Sequence, residues 1–394
     1  MQYRKFGRLD FQVSALGFGA MRLPTKGGEV DEPVAIQMIR SAVDRGVNYI
    51  DTAYMYHGGA SEKVVGRALR DGYRAKAKVA TKLPSWEVKS AADFDRFLDI
   101  QLGRLDMDSV DFYLLHSLNR RTWPKVRDLG VIEWAEEAMA KGRFGHLGFS
   151  FHDDAETFRT ILDSFDWSMC QVQYNFMDVH NQAGAAGVQR AGSKGIAVVI
   201  MEPLLGGKLV APPAPVQALW DAAESSRSPV AWALDWLWDQ PEVSTVLSGM
   251  SSPAQVDENV EIASRSRVGW MGEKERALYA AARDRYNKLT LIPCTKCGYC
   301  MPCPHGVDIP ANLGVYNDGI MYDKRENSHG QYAWWKHAYE VVHIQERDIR
   351  AARCVQCGEC VDKCPQSIPI SSWMPVIHKA LGEKGPYVTE LPPS

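Results

Sequence analysis

The chain has 394 residues, 45% of them hydrophobic, and a formal net charge of −3. That length predicts two domains, one of barrel size and one smaller. A near-neutral balance with no long basic run argues against nucleic acid and anionic membrane surfaces as partners. The opening MQYRKFGRLDF lacks the apolar core of a signal peptide, and stretches such as IAVVIM are too short to span a bilayer, so a cytoplasmic location is expected. That reducing compartment argues against disulfides among the nine cysteines, eight of which lie between positions 294 and 364. The remaining one, Cys170, reads as a buried core thiol.

Along the first 250 or so residues, short apolar runs alternate with helical patterns. The runs are SALGFGA, NYIDTA, AKVATKL, VDFYLLH, FGHLGFS, MCQVQYN, IAVVIM and VSTVLSG. Segments such as EPVAIQMIRSAVDRG and DFDRFLDIQLGRLD between them have helical spacing. Nearly continuous apolar strands, each followed by a helix, predict a parallel sheet covered on its outer face. Eight such units predict an α/β fold, a closed (β/α)8 TIM barrel. A doubly wound open sheet is the alternative, but GFGAMR does not fit the G-x-G-x-x-G turn it would want. GEKERALYAAARDRYNKL then reads as a helix closing the barrel. The expected domains are a barrel over 1–285, a small α-rich ferredoxin-like domain over 286–375, and a loop-like C-terminal tail over 376–394. Trp334, Trp335 and His337 in the second domain read as core packing.

In a β/α barrel, polar residues at the C-terminal strand ends are the catalytic candidates. Asp51 ends the second run, Lys82 the third and His116 the fourth, while Tyr56 lies in the loop just past Asp51. Reducing a carbonyl needs a hydride and a proton. Tyrosine's ordinary pKa of about 10 is high for donation at neutral pH, and a nearby ammonium is expected to pull it down. Lys82 can do this if Asp51 holds it, and His116 can orient the substrate oxygen or share in proton transfer.

YIDTAYMYHGGASEKVVGRAL, VATKLP and DFYLLH, with the opening YRKFGRLDFQVSALGFGAMRL, resemble the aldo/keto reductase pattern over roughly residues 1–265. The resemblance implies an NAD(P)-dependent oxidoreductase of the barrel type, with Asp51, Tyr56, Lys82 and His116 as its catalytic tetrad and Tyr56 as general acid. It further implies cofactor contacts from Gly19, Ser150, Gln171, Met201, Gly206, Gly207, Ser251, Ser252, Gln255 and Asn259. Ser150 and Gln171 would meet the nicotinamide amide, and Gln255 and Asn259 the adenosine end. Two positions depart from the family: Phe151 stands where Asn is common, and Met201 stands where many members stack a tyrosine. SGMSSPAQVDENV predicts a helix from about Pro253, capped by Ser251 or Ser252, whose first amides face an anion. No Arg or Lys lies between Gly249 and Asn259 to meet a 2′-phosphate, so NAD and NADP both stay open.

The last region holds CTKCGYCMPCP, with Cys294, Cys297, Cys300 and Cys303, and CVQCGECVDKCP, with Cys354, Cys357, Cys360 and Cys364. The second run has the C-x2-C-x2-C-x3-C-P spacing of bacterial ferredoxins, in which the fourth cysteine ligates the other cluster. The first run differs only in its last gap. Structural zinc instead takes ligands as two separated pairs. Two triplets, each with a remote fourth thiol, predict two 4Fe-4S clusters. The crossed assignment is Cys294, Cys297, Cys300 and Cys364 for one, and Cys354, Cys357, Cys360 and Cys303 for the other. The 50 residues between Cys303 and Cys354 make this region similar to the α-helical ferredoxin type.

The expected function is carbonyl–alcohol interconversion on a small molecule with NADP or NAD, alongside two clusters that either relay electrons to a protein partner or are structural or redox-sensing while the barrel works alone. The alternative is an electron-transfer iron–sulfur protein whose barrel binds a partner or ligand without turnover.

Overall fold

The computed structural model describes residues 1–336 and 348–391. Eight strands close a barrel in chain order. They are β1 (Leu16–Gly19), β2 (Tyr49–Asp51), β3 (Lys78–Leu83), β4 (Val110–Leu118), β5 (Phe144–Phe151), β6 (Met169–Gln173), β7 (Ala197–Met201) and β8 (Val243–Ser248). All neighbours run parallel, and β8 returns to β1 through Val246–Leu16, Leu247–Gly17 and Ser248–Phe18. Each apolar run read from the sequence is one of these strands. Helices α1 (Glu32–Asp44), α2 (Ala60–Ala68) and α3 (Ala92–Leu105) follow the first three strands, and α4 (Pro253–Arg265) follows the eighth.

The period of two along each strand sorts the barrel interior. Tyr49, Ala80, Phe112, Leu114, Met169, Ala197 and Val199 form one apolar cluster with Phe6 and Val13. Phe6 follows the first strand of a small antiparallel pair, Tyr3–Lys5 with Gln12–Ser14, and its ring packs 4.9 Å from Phe112 and 5.7 Å from Tyr49. Two residues further along the same strand faces come Asp51, Lys82, His116, Gln171 and Met201. The interior is therefore apolar at the N-terminal end of the strands and carries ionisable and polar groups at the other. A shift of one residue in any strand would exchange these groups for Ile50, Thr81 or Leu115.

The chain divides into two compact units, one of Met1–Gly207 with Arg227–Glu273, the other of Lys208–Ser226 with Lys274 onward. The helix expected to close the barrel, α5 (Glu273–Lys288), thus groups almost entirely with the second unit. Its Tyr279 meets Trp220 edge-on at 5.6 Å. A helical pattern tells which face is buried but not against what, which is why the sequence could not assign it. The expected boundary at 285 falls inside α5, and the one at 376 falls inside α8 (Ile370–Leu381).

The second unit also holds α6 (Ile309–Met321) and α7 (Arg325–Trp334). Its core joins Ile309, Leu313 and Tyr316 of α6 to Trp373, Met374 and Ile377 of α8. Past α8 the chain stays tied down, with Tyr387 stacked on Tyr316 at 4.8 Å and the Val388 N–H donating to Tyr316 Oη. Trp335 is in this core, but Trp334 is 52% exposed, contrary to the packing role expected of it. Adjacent positions on a helix point about 100° apart, so one face rarely takes both. His337 lies outside the described residues. Among the described residues no helix is long and apolar enough to cross a membrane.

Candidate functional site

At the C-terminal rim of the barrel, the buried Lys82 ammonium donates to Asp51 Oδ1 at 2.6 Å and to the Thr52 carbonyl at 2.8 Å. Its Nζ is also 3.5 Å from Tyr56 Oη. The Tyr56 and His116 rings meet edge-on at 6.0 Å. The four residues singled out from strand ends are therefore gathered in one place. Trp86, in the loop after β3, packs 5.1 Å from the His116 ring, a neighbour that strand-end reasoning had no means of finding.

Burial governs the protonation of this group. It acts to lower the Lys82 ammonium, but Asp51 and Tyr56 outweigh it and hold the pKa above that of an ordinary lysine. Burial raises Asp51 against the pull of Lys82. For Tyr56 the expected downward shift does not emerge: burial raises its phenol, and the opposing pull of Lys82 is smaller. The ammonium favours the phenolate as expected, but removing the ring from water disfavours it more. His116 is held well below the usual histidine range by burial, with Lys82 and His152 adding to the effect, so its imidazole is neutral at pH 7. Asp51 Oδ2 and His116 Nδ1 are buried with no hydrogen-bond partner among the described residues.

The rim continues through β4 to β7. The Ser117 N–H donates to Ser150 Oγ at 2.8 Å, and Ser150 is the β5 neighbour of Gln171 on β6. Gln171 Nε2 lies 3.9 Å from Met201 Sδ, while its buried Oε1 has no donor among the described residues. Beyond Met201 the chain turns through Gly206 and Gly207, at φ 67° and 92°. These are left-handed values that glycine adopts without strain. Gly19 abuts β8: a Cβ there would sit 3.3 Å from the Ser248 carbonyl. Ser252, of the two serines proposed, caps α4 by accepting from the Gln255 N–H. Gln255 Oε1 accepts from the Ser251 N–H at 2.7 Å, and buried Asn259 donates to Ser248 Oγ at 2.8 Å.

Arg22 is a cation beside the 249–259 stretch, which has none of its own. Its side chain lies along Gly249, where a Cβ would be 3.2 Å from it, and its NH2 is 3.6 Å from the Cβ position of Gly206. The residue is exposed. The sequence signal was an arginine just past β1, but closure of β8 onto β1 is needed to bring it beside Gly249, and the segment after β7 folds Gly206 against it. Glycine turns, an exposed guanidinium and a Gln171 oxygen without a donor fit a dinucleotide: backbone and cation for its phosphates, an acceptor for its carboxamide.

In the second unit the thiols line two cavities. Cys294, Cys297, Cys300 and Cys364 share one. Cys303, Cys354, Cys357 and Cys360 line the other, and Cys300 lines both. Each cavity thus draws thiols from both runs, with Cys364 joining Cys294, Cys297 and Cys300 in one and Cys303 joining Cys354, Cys357 and Cys360 in the other. Among the described residues no three His, Cys, Asp or Glu side chains are grouped to hold a single metal ion. Thiols spread around a cavity suit a cluster rather than one tetrahedral ion. The two runs share a backbone shape, with Lys296 and Gln356 at φ 57° and 56° and Gly298 and Gly358 at φ 78° and 84°. Two buried asparagines of α6 latch the segments entering them. Asn317 donates to the Ile292 carbonyl and accepts from its N–H, at 2.8 and 2.9 Å. Asn312 donates to the Ile349 carbonyl at 2.9 Å and accepts from the Ala351 N–H at 2.8 Å. Nothing in the spacing of the cysteines pointed to either asparagine.

Comparison with known proteins gives two family matches. The Aldo/keto reductase family model matches residues 15–267, and that of the 4Fe-4S dicluster domain matches residues 293–368. An L-galactose dehydrogenase of Arabidopsis thaliana is 29% identical over 289 residues, covering 66% of this chain and 87% of that protein. An NADH-specific methylglyoxal reductase of Escherichia coli strain K12 is 27% identical over 303 residues, covering 64% and 91%. The solved holo form of aldo-keto reductase AKR11C1 from Bacillus halodurans superposes with a TM-score of 0.61 at 26% identity, covering 72% of this chain and 96% of that one.

Proposed function

Because the chain belongs to the aldo/keto reductase family, and is an oxidoreductase with an added 4Fe-4S ferredoxin-type domain, we propose that it interconverts a carbonyl and an alcohol of a small molecule. Tyr56 is the general acid in reduction and the general base in oxidation. The observation that carries this reading is the Lys82 ammonium, buried 2.6 Å from Asp51 and 3.5 Å from the Tyr56 hydroxyl, with a neutral His116 beside it. The ammonium stabilises the phenolate left when Tyr56 gives up its proton. Asp51 holds the ammonium in place. His116 orients the carbonyl oxygen toward Tyr56, and Trp86 screens the site from water.

A bound NADH or NADPH supplies the hydride. Ser150, Gln171 and Met201 would hold its nicotinamide end. Gly19, Gly206, Gly207, Ser251, Ser252, Gln255 and Asn259, joined by Arg22, would hold the phosphates and adenosine. The eight cysteines would hold two 4Fe-4S clusters in the crossed arrangement, and these would supply one-electron exchange when bound. Cys297 and Cys357 are exposed, which suits electron relay to a protein partner.

Titrating NADH and NADPH into the purified protein is expected to give saturable binding of at least one. Arg22→Ala should weaken whichever binds by about tenfold, the scale of one exposed charge-assisted contact. Anaerobic reduction with the same nucleotide, followed by electron paramagnetic resonance, then reports whether electrons reach the clusters. A wild-type protein that binds neither nucleotide would remove the basis of the proposal.

The pH dependence follows from the two shifts. A raised Tyr56 pKa keeps the acid protonated, so the rate of carbonyl reduction should stay level through neutral pH. It should fall only as pH rises past about 10. Alcohol oxidation needs the phenolate and should rise over that same alkaline range. The depressed His116 pKa predicts no break near pH 6.5, the ordinary histidine value of about 6.5. A reduction profile that breaks at that histidine value would show that a protonated imidazole, not Tyr56, supplies the proton.

A further inference from the structure

Directly after Tyr56 the backbone is strained. His57, Gly58 and Gly59 take φ values of 51°, 61° and 90°, three left-handed residues in succession. A non-glycine residue such as His57 holds that conformation at a cost and persists in it only where the surroundings dictate it. Besides a His57 hydrogen bond to the Met21 backbone, the surroundings include one side chain of α3. Arg104 donates to the Tyr54 carbonyl at 2.9 Å, two residues before Tyr56. Its guanidinium lies 4.4 Å from the Tyr54 ring. It also lies flat under Gly59, where any Cβ would be 2.7 Å from its Cζ. Arg104 thus grips the Tyr56 loop on both sides.

The grip is anchored by Glu62, whose side chain is fully buried and receives the Arg104 N–H at 3.0 Å. The same carboxylate accepts from Thr81 Oγ1 at 2.7 Å and from Gln101 Nε2 at 2.8 Å. Gln101 Nε2 is in turn 3.0 Å from the carbonyl of Lys82, and Gln101 Oε1 accepts from Tyr113 Oη at 2.7 Å. Thr81 precedes Lys82 on β3 and points out of the barrel while Lys82 points in. One buried carboxylate therefore ties the strand that carries the ammonium to the loop that carries the phenol.

We infer that Arg104 and Glu62 are positioning residues that set the separation of Tyr56 and Lys82, and so the ease of proton transfer from Tyr56. The inference rests on the reading of Tyr56 as the proton donor. A buried ion pair adds little net stability compared with apolar groups of similar volume, whereas losing one partner leaves an uncompensated charge. Stability alone is thus a weak reason for this pair, and the geometry of the loop is the stronger one.

The test separates fold from position. In the double variant Glu62→Met, Arg104→Met both charges go together, so the fold loses only the hydrogen bonds Glu62 accepts from Thr81 and Gln101 and Arg104 gives to Tyr54, and nucleotide affinity should stay near wild type. The turnover number for carbonyl reduction should fall about 10- to 100-fold, the scale of a 1 Å misplacement, and the alkaline limb of its pH profile should move. Arg104→Lys keeps the charge but loses the planar guanidinium that packs against Gly59 and the Tyr54 ring. It should lose turnover at unchanged melting temperature and nucleotide affinity, and it decides the matter if the double variant fails to fold. Either variant, folded and turning over at the wild-type rate with an unmoved pH profile, overturns the inference. If Tyr56→Phe is itself fully active, the functional reading fails instead, so the two failures are told apart.

Discussion

Tyr56→Phe is expected to lower the turnover number for carbonyl reduction by about 10²- to 10⁴-fold, the usual contribution of a positioned general acid. The substitution removes one oxygen atom, the one 3.5 Å from Lys82 Nζ. It leaves the ring that meets His116, so the rim keeps its shape. Nucleotide affinity should be unchanged, because the residues proposed to hold the dinucleotide lie on or just past β1 and β5 to β8 and on α4, and Tyr56 is not among them. The Lys82–Asp51 pair should also survive, since Lys82 retains Asp51 and the Thr52 carbonyl as acceptors. Steady-state reduction of a small aldehyde, alongside fluorescence titration of the nucleotide, measures both quantities. Full turnover in the variant would mean that the proton comes from another group, and His116 would be the first to examine.

The second large effect concerns iron. With two 4Fe-4S clusters, Cys294→Ala should cost about half of the iron, roughly four of eight atoms per chain. In that background Cys364→Ala should cost little more, although it lies in the other run, because both thiols line the same cavity. Cys303→Ala in the same background should remove most of what remains, since Cys303 lines the cavity of Cys354, Cys357 and Cys360. Iron analysis and cluster absorbance on the anaerobically purified double variants give the answer. The reverse pattern, with Cys303→Ala silent and Cys364→Ala destructive, would mean that each run closes its own cluster. The contrast needs no knowledge of the substrate and holds whether or not the barrel and the clusters exchange electrons.

Much of this protein is readable without coordinates, and particular residues show why. Asp51, Lys82 and His116 each stand at the end of an apolar run, and strand ends of a parallel barrel share one rim whatever the loops do. The cysteine triplets are spaced within a few residues, so local chain geometry already suits a cluster. Arg22 and Arg104 were not readable in this way. Each is an ordinary arginine in sequence, and each acquires its role from residues far along the chain: Gly206 and Gly249 for one, Tyr54, Gly59 and Glu62 for the other. Asn312 and Asn317 are similar, two polar residues on a helix whose partners only the folded second unit supplies.

By itself the amino-acid order determined the eight strands, the four rim groups and the two thiol runs, because periodicity and spacing act over a few residues and survive any arrangement of the rest. Tertiary structure alone decided which unit receives Lys208–Ser226 and α5, which arginines meet the rim, and the direction in which Tyr56 titrates. The last depends on how much water the fold removes from the phenol as against how close it brings the ammonium. Burial and distance between remote residues are properties of the packed chain, and no short stretch of sequence contains them.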